Sequence, residues 1–182
     1  MADSITLGAY HLANNPTKYE PQTGNAFEFL VYGLREGDQE AIRMQVVSFP
    51  RPYFSLESKS IRRINSVITY AGLPSFQDGS LTIKDYIGSN GRSAVEYWQS
   101  LAYNVKEDRA GRLADYKKNC DVMEYTPDLA THLGTWHLYG CWVSNISEDE
   151  FNNAQKDDKN VTATIVYDKA IWEPSTEYVE AQ

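Results

Sequence analysis

The sequence predicts a mainly β domain: an antiparallel barrel or sandwich carrying one packed α-helix, an extended hairpin and two terminal arms. Three observations carry that prediction. Two-residue alternation of apolar and polar side chains recurs along the chain and stops at turn signals. Only one stretch, around Trp98, has helical spacing. Aromatic residues make up 13% of the 182 residues, which fits strand packing in a β-rich core and equally a surface built for interfaces, and a 42% hydrophobic share is enough to build a core.

Residues 1–24 contain Asn14-Asn15-Pro16 and Pro21-Gln22-Thr23-Gly24 and read as an N-terminal arm ahead of a domain spanning 25–168. From Asn25 to Tyr32, Phe27, Phe29 and Val31 share one face, the mark of a half-buried strand. After the polar turn at 35–38, Ile42, Met44 and Val46 repeat the alternation, so these two segments are expected to form a hairpin. Phe49-Pro50-Arg51-Pro52 breaks it, because proline cannot donate to a ladder. Residues 53–62 are mixed and charged, and Ile64, Ile68 and Tyr70 align in a further strand. Asp78-Gly79 signals a turn into a strand through Leu81 and Ile83.

The helix is expected from Ser89 to Tyr103. Ala94, Val95, Trp98, Leu101 and Ala102 form one stripe, Ser89 or Asn90 can cap the start, and Asn104 stops it. Residues 104–118 read as a long charged surface loop, and 120–125 as a short strand. The strongest strand is 135–146, with Trp136, Leu138 and Trp142 on one face and Tyr139, Cys141 and Val143 on the other. Both faces are bulky, so both are expected to be covered. The acidic segment 147–159 leads to Val161–Tyr167, where Ala163, Ile165 and Tyr167 align, and 169–182 reads as a C-terminal arm. Seven or eight strands thus surround a single helix.

Catalytic and ligand chemistry finds no foothold in this pattern. The net charge of −8 argues against tight nucleic-acid binding, which needs a basic footprint, and does not argue against a surface that DNA slides past without sticking. Cys120 and Cys141 make no CxxC pair and fit free thiols or a single bridge. With His11, His132 and His137 they give C-x11-H-x4-H-x3-C, which is not a zinc spacing. Gly88 to Ser93 precedes a helix but lacks the lysine of a phosphate loop, and helix capping explains it. No G-x-S-x-G elbow occurs. Glu148-Asp149-Glu150 and Asp157-Asp158 sit in polar loops with nothing to raise a pKa and read as a solvated face. Asn145-Ile146-Ser147 and Asn160-Val161-Thr162 match the glycosylation sequon, which carries no weight without a secretion signal, and Met1-Ala2-Asp3-Ser4 begins none. No stretch approaches the ~20 apolar residues of a membrane span. No catalytic residue, cofactor, metal or membrane association is therefore expected.

Several segments, in order, resemble bacteriophage tail tube proteins. Asn25 to Val31 is similar to their opening strand, and Ser48-Phe49-Pro50 to a short strand ending in proline. Leu81 to Asp85, the Trp98 helix and Leu101-Ala102-Tyr103-Asn104 resemble a strand, helix and W-x-x-x-x-Y-N passage. Asp115-Tyr116-Lys117-Lys118 resembles a DYK segment, and Thr135 to Ile146 a W-x-L-x-G-x-[FW] strand, with Val143 standing where proline is expected. The resemblance covers about residues 25–168.

What the resemblance implies is a structural virion protein, not an enzyme, assembled in the host cytoplasm and resident in the tail. Subunits would form hexameric rings, four strands from each closing one continuous barrel, and the rings would stack into a tube through which DNA passes unbound. Its first partner would be itself, with sheath, tape-measure and baseplate proteins around it. Pro52 to Arg63 and the two arms are the expected bridges between rings, with Phe54, Glu57, Lys59, Arg62 and Arg63 as contact residues. Trp98, Leu101, Trp136 and Trp142 are the expected anchors of helix and strand. The acidic balance predicts a lumen that repels phosphate. A baseplate tube-initiator, a tail-completion protein and a bacterial secretion-system tube subunit are alternatives of the same fold; a small ligand-binding β-barrel or enzyme is the alternative of another class.

Overall fold

The computed structural model describes residues 21–149 and 158–176. In chain order the elements are β1 (Phe27–Tyr32), α1 (Glu36–Gln45), β2 (Val46–Ser48), β3 (Phe54–Arg63), β4 (Ser66–Phe76), β5 (Gly79–Lys84), α2 (Gly91–Ala102), β6 (Tyr103–Asn104), β7 (Arg109–Ala110), α3 (Leu113–Tyr116), β8 (Lys118–Tyr125), β9 (His132–Glu148), β10 (Asn160–Val166) and β11 (Lys169–Pro174).

β9 organises the molecule. Its long run pairs β8 and β11 along the first half and β10 along the second, so one strand belongs to two sheets. The first is the four-stranded sheet β1-β8-β9-β11; the second continues from β9 through β10 and β5 to β2. Every pairing is antiparallel. The core fills the curl between them: Phe29 and Val31 of β1, Val122 of β8, Leu138 and Val143 of β9, Val161, Ala163 and Ile165 of β10, and Leu81 and Ile83 of β5 are all buried. The expected alternation in β1, β5 and β10 is what buries them, because a period of two puts one set of side chains on one face.

α2 closes the core. Ala94, Val95 and Trp98 are fully buried, and the Trp98 indole donates to the Tyr116 carbonyl at 3.0 Å. Asn90 stands at the N-cap without a side-chain capping bond, and no charged residue complements either end. Packing of the apolar stripe therefore holds this helix.

The structure corrects four expectations. Residues 36–45 form a helix, α1, not the second strand of a hairpin with β1, so the domain has more than one helix. Three alternating apolar residues are too few to fix a period. Ile42 and Gln45, three apart, are buried while Met44 is 75% exposed. Glu36 and Asp38 in the first turn and Arg43 in the last suit the helix dipole. The 104–118 segment is not a featureless loop: it holds the β6–β7 bridge and the single turn of α3.

Lys169–Pro174 is a strand and not part of a terminal arm, because its backbone completes the ladder on β9. Residues 1–20 of the expected N-terminal arm and 177–182 of the C-terminal one lie outside the described residues. The faces of β9 also depart from strict alternation. Trp136 and Leu138 face the core as expected, but so do Cys141 and Val143. The switch occurs at Gly140, whose φ of +70° inserts an extra residue into the strand, a bulge. Trp142 is turned outward, edge-on to Tyr116 at 6.0 Å.

Gly140 allows a specific prediction. A Cβ there would meet the Asp168 carboxylate at 2.3 Å, on a backbone that L residues rarely adopt. Gly140→Ala is expected to cost about 1–3 kcal/mol, read as a lowered urea midpoint with an unchanged slope.

Candidate assembly surfaces

Three surfaces have the chemistry of contacts left unmade. The first is the four-stranded sheet. Among the described residues no strand pairs the outer edge of β1 or of β11. Each therefore presents unpaired backbone donors and acceptors, a template for another strand.

The face of this sheet turned away from the core is polar. In register, Leu30, Asp121, His137 and Ile171 form one row across β1, β8, β9 and β11. Asp121 accepts the Tyr32 hydroxyl at 2.9 Å and meets His137 Nδ1 at 2.7 Å, and His137 Nε2 lies 3.6 Å from Glu173. Burial, then the Asp121 carboxylate, push the Tyr32 phenol up to about 12. Glu28 holds Arg43 of α1 and accepts from Tyr125 at 3.2 Å. With Arg43 set against Glu28, this face carries the carboxylates Glu28, Asp121 and Glu173 against the cations Arg43 and Lys169.

The second surface is the β3–β4 hairpin. Among the described residues its strands pair only each other, from Phe54 opposite Phe76 to Arg63 opposite Ser66. Every residue of β3 is exposed, and all of β4 except Gly72 and Phe76. Large apolar side chains are nonetheless frequent: Ile64 at the tip is 98% exposed. Lone two-stranded hairpins are marginal in water, so such a ribbon needs a cover.

The third surface is an apolar groove of about 500 Å³ at the hairpin root, between Pro52, Tyr53, Phe54 and Phe76 on one side and Trp136, Ala170 and Trp172 on the other. Aromatic contacts tie the root down: Phe54 to Phe76 at 5.6 Å and Phe76 to Tyr167 at 6.1 Å. Beside it, Glu124 is buried and fully occupied. It accepts from Arg51 Nε at 2.8 Å and Nη2 at 2.6 Å, from Gln22 at 2.8 Å and from the Trp136 indole at 3.1 Å. This carboxylate anchors the segment that leads into β3. Glu124→Ala takes the acceptor from the Trp136 indole, while the Arg51 guanidinium, whose side chain is 63% exposed, turns to water; the expected cost is about 1–2 kcal/mol, measured by urea unfolding.

The structure puts Glu57, Lys59, Arg62 and Arg63 together on the hairpin, and Phe54 at its root in the groove. Trp98 lies in the core, while Leu101 and Trp136 are partly buried against it. Sequence reasoning reached the outer part of the hairpin's second strand, through Ile68 and Tyr70, but not residues 71–76, which Gly72 and Pro74 masked, nor Trp172, which lies in the stretch read as an arm. No cluster of three His, Cys, Asp or Glu able to hold a metal occurs among the described residues. Cys120 and Cys141 are free thiols, both buried, and burial pushes the Cys120 thiol well up.

No family model matches the chain. Over 86 residues, 47% of the chain, it is 30% identical to the tail tube protein gp19 of Enterobacteria phage T4, and equally to that of phage T6. The match covers 53% of each, so the chain spans about half the length of the curated relatives it matches. It is homologous to them over that stretch, in agreement with the motif resemblance. Among solved structures, the tube-terminating cap of the anti-feeding prophage superposes with a TM-score of 0.66 at 12% identity, covering 85% of this chain and 92% of that one. The sheath–tube complex of the PVC extracellular contractile injection system also gives 0.66, at 13% identity, covering 92% and 99%. At such identities the likeness is one of fold: the chain has the curled antiparallel half-barrel of these tube components.

Proposed function

We propose that this chain is the repeating structural subunit of a phage tail tube, resident in the virion tail. The observation that carries the reading is the four-stranded sheet open at both β1 and β11, with a polar face on one side and the core on the other. Copies joined β11 to β1 satisfy both edges at once, and a heterologous contact of this kind closes into a ring if the rotation allows. Six copies give twenty-four strands. At ~4.8 Å spacing and ~45° tilt the backbone cylinder is roughly 50 Å across, and subtracting side chains leaves roughly 40 Å for a duplex.

The face with Asp121 and Glu173 then lines the channel. Its acidic excess repels phosphate and lets DNA pass unbound. The hairpin, whose ten-residue β3 spans roughly 33 Å, reaches along the axis to the next ring. Phe54, Glu57, Lys59, Arg62 and Arg63 are contact residues in this arrangement. Sheath, tape-measure and baseplate proteins are its other partners, and the subunit catalyses nothing.

Negative-stain electron microscopy of the purified chain tests this: stacked rings with a central channel are expected. Single rings that never stack would make it a cap or an initiator of the same fold. Monomers at every concentration would refute the reading.

A further inference from the structure

We infer that the outer half of the β3–β4 hairpin buries one defined face, Ile61, Ile68, Tyr70 and Leu73, against a second copy of this chain and leaves the opposite face, Ser58, Ser60 and Thr69, to water. The inference rests on the tube reading and deepens it from a contact segment to a contact face.

The register assigns the faces. Near the root, Phe54 lies opposite Phe76 and Leu56 opposite Pro74, and this apolar face is the one that meets the subunit's own groove. Farther out the pattern inverts. Ser58 opposite Ala71 and Ser60 opposite Thr69 continue the root's apolar face with small and hydroxyl side chains, and Val67, opposite Arg62 beside the tip, is the one large apolar group on that side of the outer half. Lys59 opposite Tyr70 and Ile61 opposite Ile68 put large apolar groups on the other face. The inversion coincides with a bulge between Leu56 and Ser58, where Gly72 and Leu73 of β4 together oppose Glu57, one residue extra. A Cβ on Gly72 would meet the Glu57 carbonyl at 2.8 Å, so this close crossing needs glycine.

A hairpin made to fold back on its own body would keep its apolar residues on the face that touches that body. Here they change sides. Ile61, Tyr70 and Leu73 are 54%, 51% and 71% exposed, so the subunit leaves half or more of each open. Charge selects the occupant. Residues 54–76 carry Lys59, Arg62 and Arg63 against Glu57, a net +2 in a chain of net −8, which leaves −10 on the remainder. A basic ribbon with one apolar face is complementary to the acidic body of another copy.

Single-cysteine labelling tests this, because Cys120 and Cys141 are fully buried and give little background. Ile68→Cys and Ser60→Cys are conservative changes on opposite faces. Each variant is allowed to assemble without DNA, and its reaction with a maleimide dye is compared with that of the dissociated chain. At position 68 the rate is expected to fall at least tenfold on assembly; at position 60 it is expected to change less than twofold. Assemblies in which 60 is protected and 68 is not, or both react alike, overturn the face assignment and leave the tube reading standing. A wild-type chain that never self-associates overturns both.

Discussion

Excising residues 58–71, so that Glu57 runs directly into Gly72, is expected to stop tube formation while the subunit stays folded. Among the described residues β3 and β4 pair only each other, and neither contributes a residue to the buried core. The excision keeps the root, where Phe54 and Phe76 meet and Gln77 donates to the Tyr53 carbonyl at 3.1 Å. It removes the exposed apolar groups Ile61, Ile64, Val67, Ile68 and Tyr70 and the cations Lys59, Arg62 and Arg63, which form no ion pair among the described residues. Stability by urea unfolding should change by no more than ~0.5 kcal/mol, the scale of surface changes that touch no core contact. Rings seen without tubes, or monomers, are the expected images; tubes of ordinary length from this variant would mean that the hairpin is not the bridge.

Trp98→Ala is expected to act in the opposite way, destabilising the subunit before it touches assembly. Trp98 is wholly buried, and it is the residue through which α2 seals the gap between the two sheets. Truncation removes a large apolar volume that the surrounding β-sheet framework cannot collapse to fill, at a cost of about 3–5 kcal/mol. It also leaves the Tyr116 carbonyl without its indole donor. Against a typical domain stability of about 5–15 kcal/mol, that is roughly a fifth of the total at the least and the whole of it at the most. The urea midpoint should fall accordingly. Trp98→Phe, which keeps most of the volume and loses the hydrogen bond, should cost about 1–2 kcal/mol. A Trp98→Ala chain as stable as wild type would show that the seal lies elsewhere.

What could be read in the sequence was whatever a single buried face made periodic. β1, β5 and β10 were legible because Phe29 and Val31, Leu81 and Ile83, or Ala163 and Ile165 must point one way into one core. α2 was legible for the same reason at helical spacing. α1 was not: its only buried side chains are Ile42 and Gln45, and one apolar residue makes no stripe. The swap of faces in β9 was hidden because it depends on the positive φ of Gly140, which no alternation encodes. β11 was mistaken for an arm because its apolar residues, Ala170, Ile171 and Trp172, are contiguous and end at a proline. The hairpin was recognised in part, through the charges of 57–63. The outer part of its second strand was legible through Ile68 and Tyr70, while residues 71–76 were not, because Gly72 and Pro74 interrupt the alternation.

Amide hydrogen exchange on the outer edges of β1 and β11 tests the central claim, that the protomer's sheet is finished by copies of itself. The assembled protein is compared with the same chain held dissociated. If neighbouring sheets join, alternate amides of both strands become as slow to exchange in the assembly as those of β8 in the middle of the sheet. If both edges exchange as fast in the assembly as in the free chain, the wall is not one continuous barrel and the account fails.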